Sequence, residues 1–299
     1  MMFASLALAL FPLAQEPAPE AAPQDPASPV QERIQDDTTQ LQVVYLANAG
    51  FLLRTGNFSI VIDGFMKDSF EGHEALPKNA ARKLQSGEKP FNGFVFGLVS
   101  HMRPDHFQPR VVERFLRNNP QAAMMSGPQV INRLVQGAKD FKSIQKQARA
   151  IGTKPGELKM LNLGRTRVEF MQLPHNQEAG NVEMQNYGHL IHVAGLRVLH
   201  VGDAAPDLKT FQDLGLAQKD IDVAFVPYWF FSVESGLQIL DEVLKADYVI
   251  TYGIPAAEKA LFVERMKIAN PHVISFDKTF DSMIIDNGPA PTPATGSDG

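Results

Sequence analysis

Leu98-Val99-Ser100-His101-Met102-Arg103-Pro104-Asp105-His106-Phe107 joins the end of an apolar run to a dense group of residues able to hold a cation. The run, Phe94 to Val99, stops abruptly at Ser100 and is too short for an ordinary helix, so it reads as a buried strand. Strand ends are where α/β proteins collect ligand-binding side chains. His101, Asp105 and His106 stand at such an end, with Arg103 among them. The chain has no cysteine. Any metal therefore has only His, Asp, Glu and water to hold it, and disulfides are excluded.

Upstream, Val43 to Leu46, Phe51 to Leu53 and Ile60 to Ile62 are short β-prone runs separated by the turn formers Asn48, Gly50, Thr55, Gly56 and Asn57. They predict a meander. Downstream, Pro109 to Leu116 and Gln129 to Val135 carry helical apolar spacing, with a break at Ser126 and Gly127. The second half runs in the same style. Strands are expected at Leu158 to Leu163, Val168 to Leu173, Leu190 to Val193, Leu196 to Val201, Val223 to Val226 and Tyr248 to Thr251, and helices from about Ser235 to Leu244 and Ala256 to Ile268. Two halves of strands followed by helices predict an α/β sandwich, two sheets inside and helices outside.

Two further segments extend the polar group. Leu173-Pro174-His175 puts an isolated histidine after a strand, and Leu199-His200-Val201-Gly202-Asp203 ends a hairpin on a Gly-Asp pair. With Gly50-Phe51-Leu52-Leu53, Ile60-Val61-Ile62-Asp63-Gly64 and the motif at His101, Asp105 and His106, these resemble the metallo-β-lactamase superfamily over roughly Leu41 to Ser275. The chain departs from the family's S/T-H-x-H-x-D-H pattern at Arg103, and Thr251-Tyr252-Gly253 stands where a last histidine is expected. The resemblance implies a four-layer αββα sandwich spanning residues 39–285. It also implies a divalent metal, zinc first and manganese or iron as alternatives, held by His101, Asp105, His106, His175 and Asp203.

On that reading the chain is a hydrolase in which a metal-bound hydroxide attacks an ester, amide or phosphodiester bond of a small molecule. Asp105 ligates or orients water, Arg103 stabilises developing negative charge, and Asp63 lies beside the site; Tyr252 either donates a hydrogen bond to substrate or bound water or is an interior tyrosine with a satisfied hydroxyl. Three outcomes stay open. In the first, a single ion is held by some of these ligands, since a catalytic site needs only three protein ligands. Alternatively Arg103 pairs with Asp105 or Asp203, leaving a metal-free cleft for an anionic ligand in a catalytically inactive envelope protein. Thirdly, His73 completes a fuller site. His189, His192, His200 and His272 are expected to be structural or surface residues, and Trp229, Phe230 and Phe231 are either pocket wall or core.

Of the 299 residues, 44% are hydrophobic, and the net charge is -5 with no long Lys/Arg run, which excludes a nucleic-acid backbone surface. The apolar run Met2 to Leu10 is too short to span a bilayer. Residues 1–15 read as a signal peptide, which places the protein in the periplasm or outside the cell. Residues 16–38 read as a Pro/Ala-rich linker and 286–299 as a disordered tail.

Overall fold

The computed structural model describes residues 39–163, 166–176 and 184–287. The expected signal peptide and linker lie outside the described residues; of the tail expected over 286–299, residues 288–299 do too, whereas Asp286 ends a strand paired with Gln40. The chain first builds β1 (Gln40–Ala47), β2 (Gly50–Thr55), β3 (Phe58–Ile62), α1 (Lys78–Ser86), β4 (Phe94–Val99), α2 (Pro109–Asn118), β5 (Ala123–Ser126), α3 (Pro128–Gly137) and β6 (Ala148–Ala150). It then repeats the scheme with β7 (Leu158–Leu163), β8 (Thr166–Pro174), β9 (Gln185–Val193), β10 (Leu196–His200), α4 (Leu208–Asp213), β11 (Val223–Pro227), α5 (Glu234–Gln238), β12 (Tyr248–Tyr252), α6 (Lys259–Ala269) and β13 (Val273–Ser275). A last strand, β14 (Ser282–Asp286), returns to pair with β1.

The two sheets run β14-β1-β2-β3-β4-β5-β6 and β13-β12-β11-β10-β9-β8-β7. In each, an antiparallel meander passes into parallel strands linked by helices. This is the expected αββα sandwich. Phe51, Leu53, Val198 and Phe225 fill the space between the sheets, while Leu52, Val61, Val95 and Met124 face α1 to α3 on one outside. Leu199, Ala224 and Val226 face the other helical layer. Central strands buried on both sides need apolar residues at every position, so Val43 to Leu46 and Val95 to Val99 show no alternation. Phe51 and Phe225, from opposite sheets, meet at a ring separation of 4.6 Å. Each such buried side chain contributes about 1.5–3 kcal/mol. The β9–β10 hairpin turns through Ala194 and Gly195, both at positive φ (52° and 75°), the backbone of a two-residue primed turn.

The helix expected over Ser235 to Leu244 is α5 followed by a π-helical stretch, Ile239–Leu244. Among the described residues no helix is long and apolar enough to cross a membrane.

The hairpin also buries an imidazole at no gain in hydrogen bonding. His189 pairs across the strands with His200 and lies edge-on to Phe170 at 5.1 Å, with neither ring nitrogen bonded among the described residues. Burial lowers its pKa to about 3. The unfolded imidazole titrates near 6.5, so the neutral ring's stability is complete above that value. It is lost at roughly 1.4 kcal/mol per pH unit as pH falls toward the folded value, because only the unfolded state binds the proton there. Replacing His189 with Leu removes the unsatisfied nitrogens. The variant is expected to gain about 1 kcal/mol, or roughly 2–4 °C in Tm, at neutral pH, and to lose less stability between pH 6 and pH 4 in thermal melts.

Candidate metal centre

The ends of β3, β4, β8, β10 and β12 meet at one edge of the sandwich and deliver the polar residues there. Asp63 follows β3 with φ 46°, a left-handed conformation that costs a non-glycine residue energy but is best tolerated by Asp and Asn. Its buried carboxylate accepts hydrogen bonds from the Ser100 backbone N–H (2.7 Å) and the Ser100 hydroxyl (2.6 Å), and its Oδ2 lies 3.0 Å from His106 Nδ1. The Ser100 hydroxyl also lies 2.8 Å from His101 Nδ1. Both imidazoles are thus fixed by their Nδ1 atoms, which directs each Nε2 to the site, the usual arrangement behind metal-ligating histidines.

Asp203 enters from β10 through Gly202. A Cβ at Gly202 (φ 59°) would lie 2.2 Å from Asn186 Oδ1 and 2.5 Å from Ser100 Cβ, so only glycine passes there. Asn186 clamps the turn: its Oδ1 accepts from the Asp203 N–H at 3.0 Å and its Nδ2 donates to the Val201 carbonyl at 2.9 Å. Asp203 Oδ1 then lies 3.3 Å from His106 Nε2, and Oδ2 lies 3.5 Å from His101 Nε2. His101, His106 and Asp203 are all buried, and one ligand atom from each falls within 4.8 Å of the others. The His175 Nε2 stands 3.9 Å from Asp203 Oδ2, and its ring 4.7 Å from that of His101.

The electrostatics follow from this packing. Burial alone would raise the Asp203 and Asp63 carboxyls, but the facing imidazoles, His106 foremost, hold both well below the usual carboxylate range. Burial pushes His101 well below its ordinary value and lowers His175. His106 moves the other way: three carboxylates, those of Asp203, Asp63 and Asp105, outweigh its burial and hold it well above.

These residues fit a divalent cation. Two donors on a tetrahedral ion with bonds of about 2.0–2.2 Å stand about 3.3–3.6 Å apart, which matches the two imidazole-to-Asp203 separations. His101 Nε2 and both ring nitrogens of His175 are buried without a hydrogen-bond partner among the described residues. Such orphans are costly unless something binds them.

Other expected residues are placed differently. Asp105 is at the site, with Oδ2 3.7 Å from His106 Nε2, but it lies outside the close trio. Its Oδ1 faces Arg103 Nε at 3.3 Å, and its Oδ2 accepts from Asn48 Nδ2 at 3.1 Å. Arg103 is partly exposed; its Nη2 lies 3.1 Å from Glu71 Oε2 and its guanidinium 5.8 Å from the Phe70 ring centre. The Arg103 pairing is with Asp105, not Asp203. Tyr252 reaches the site, but its buried hydroxyl donates to the Gly202 carbonyl at 2.5 Å while its ring stacks on His200 at 4.8 Å. Of the two readings of Tyr252, the structure shows the interior tyrosine with a satisfied hydroxyl, its hydrogen bond holding the Gly202–Asp203 turn.

His200 is buried beneath the site, 3.1 Å from the Ala49 carbonyl. His192 faces out to Glu169 and Arg167, and His272 is exposed. His73 is half-buried, and its Nδ1 has no hydrogen-bond partner among the described residues. It is not part of the close trio. Trp229 is beside the site, its indole donating to the Ala204 carbonyl at 3.0 Å, whereas Phe230 is core. Sequence reasoning missed Asn48 and Asn186, whose partners are distant in the chain.

An αββα sandwich with a buried His-His-Asp cluster at its strand ends defines a class of metal-site folds. This chain belongs to the metallo-β-lactamase superfamily: the sequence pattern of the beta-lactamase superfamily domain matches residues 42–250. Its fold is similar to that of Igni18, a metallo hydrolase from the hyperthermophilic archaeon Ignicoccus hospitalis, with TM-score 0.57 and 14% identity over 83% of this chain and 99% of that one. It is also similar to a possible metal-dependent hydrolase from Veillonella parvula (TM-score 0.57, 14% identity, 81% and 98% covered). A third similar structure is CmlA, a diiron β-hydroxylase from Streptomyces venezuelae (TM-score 0.53, 11% identity, 82% and 54% covered). No curated protein matches the chain in sequence.

Proposed function

We propose that the chain is a metal-dependent hydrolase acting on an ester, amide or phosphodiester bond of a small molecule. The observation that carries this reading is the convergence of His101 Nε2, His106 Nε2 and the Asp203 carboxylate, with His101 Nε2 without a hydrogen-bond partner among the described residues. His101, His106 and Asp203 would hold the ion, with His175 beside them, and zinc is the first candidate before manganese and iron. A divalent cation at this position supplies Lewis acidity, lowering the pKa of bound water and polarising the bond to be broken.

The chain's own residues do the rest. Asp63 and Ser100 fix the two imidazoles, while Asn186 and Tyr252 hold the turn that presents Asp203. Asp105, held from both sides by Arg103 and Asn48, is placed to orient water next to His106. Trp229 offers an aromatic wall for the apolar part of a substrate. We also assign the protein to the periplasm or the extracellular space, on the strength of the apolar run from Met2 and the Pro/Ala-rich stretch after it.

A metal-free cleft for an anionic ligand is the second reading, favoured by the Arg103–Asp105 pair. It leaves the buried nitrogens of His101 and His175 unexplained, which is why hydrolysis is preferred. The test is turnover of p-nitrophenyl acetate, a p-nitroanilide and bis(p-nitrophenyl) phosphate by the full chain. At least one is expected to be cleaved, with loss under chelator and recovery on adding zinc, manganese or iron. Protein that cleaves none of these and emerges free of metal after growth in supplemented medium would support the binding cleft instead.

A further inference from the structure

The site contains a cation that needs no metal. We infer that the Arg103 guanidinium is the fixed second cation of this centre, committing Asp105 to itself, so that the chain takes one divalent ion and not two. The inference rests on the metal-binding reading above and specifies its stoichiometry.

Geometry gives the first reason. Asp105 Oδ2 accepts from Asn48 Nδ2 at 3.1 Å, and Oδ1, which has no hydrogen-bond partner among the described residues, forms an ion pair with Arg103 Nε at 3.3 Å. A second bond from Asn48 Nδ2, to the Asp105 carbonyl at 3.1 Å, fixes the backbone beneath the carboxylate. Arg103 is held in turn by Glu71 at 3.1 Å and by the Phe70 ring. Asp105 is therefore arranged as a counter-ion, and the close ligand trio omits it.

Charge gives the second reason. Asp63, Asp105 and Asp203 are buried, which makes three negative charges; Arg103 supplies one positive charge, and two remain. One divalent ion with neutral imidazoles cancels them. A second ion would leave a buried excess of two positive charges beside a guanidinium that does not lose its proton. Glu71 changes this balance little, because its side chain is 63% exposed and screened by water.

The test is a titration of chelator-treated full-length protein with Co2+, followed by visible absorption, with zinc content measured by elemental analysis after dialysis. The wild type is expected to take one equivalent of either ion. Arg103→Ala and Arg103→His, which free Asp105 and remove the fixed charge, are expected to take a second equivalent. Arg103→Lys keeps the charge and is expected to stay at one. Two equivalents in the wild type overturn the inference and leave the metal-binding reading standing, whereas none overturns both. A folded Arg103→Ala or Arg103→His protein that still takes one also overturns it. If these variants fail to fold, the wild-type stoichiometry decides.

Discussion

Asp203→Asn is expected to abolish tight metal binding and to cut any chelator-sensitive turnover by more than about 100-fold. Loss of a group that merely orients a metal ligand costs about 10–100-fold in metal affinity or activity; Asp203 faces both His101 and His106, so its removal should exceed that range. The substitution is nearly isosteric. The backbone N–H of residue 203 still has Asn186 Oδ1 as its acceptor, so the turn should survive and the effect should be chemical. Equilibrium dialysis against zinc, with circular dichroism as the control for folding, reads the result. A folded Asp203→Asn protein that binds zinc as tightly as the wild type would remove Asp203 from the centre.

The second large effect is expected at Asp63, and it concerns stability first. Asp63→Ala leaves the Ser100 N–H, the Ser100 hydroxyl and His106 Nδ1 without the acceptor that all three share. Breaking a buried charged partnership of this kind costs about 3–5 kcal/mol, which for a domain of this size lowers Tm by roughly 10 °C. The freed His106 ring should also weaken zinc affinity by about 10–100-fold. Asp63→Asn isolates the charge. In the wild type the carboxyl is held below its ordinary range, so its stabilisation is complete above the unfolded pKa of about 4 and is lost as pH falls toward the folded value. Chelated Asp63→Asn protein should therefore lose less stability than the chelated wild type between pH 5 and pH 3. Equal acid slopes in thermal melts would show that His106 and Ser100 do not depend on that charge.

Much of this architecture was legible because the sheets are buried on both faces and their strands announce themselves as apolar runs. His101, His106 and Asp203, the three candidate ligands that the fold brings together, were legible for a related reason: each follows a strand end closely, so a local pattern carries it. What was hidden depends on distant contacts. β5, Ala123–Ser126, is short and lacks β-branched residues, and α1 shows little apolar periodicity beyond Ala80, Ala81 and Leu84. β14 pairs with β1 across nearly the whole domain, a connection no local pattern encodes.

Arg103 was visible as a cation able to pair with Asp105 or Asp203, but the choice of Asp105 and the anchor Glu71, far upstream, could be read only from the fold. Asn48 and Asn186 look like ordinary turn and strand residues until their amides are seen on Asp105 and on the Gly202–Asp203 turn. Tyr252 stands at the expected strand end, yet only its 2.5 Å bond to the Gly202 carbonyl reveals what its hydroxyl does.

The most direct measurement is an anomalous difference map, recorded at the zinc edge, from crystals of the full chain grown with zinc. A single strong peak in contact with His101 Nε2, His106 Nε2 and the Asp203 carboxylate is the expected result. A map with no peak there, or with zinc only on surface residues away from those three, would contradict it.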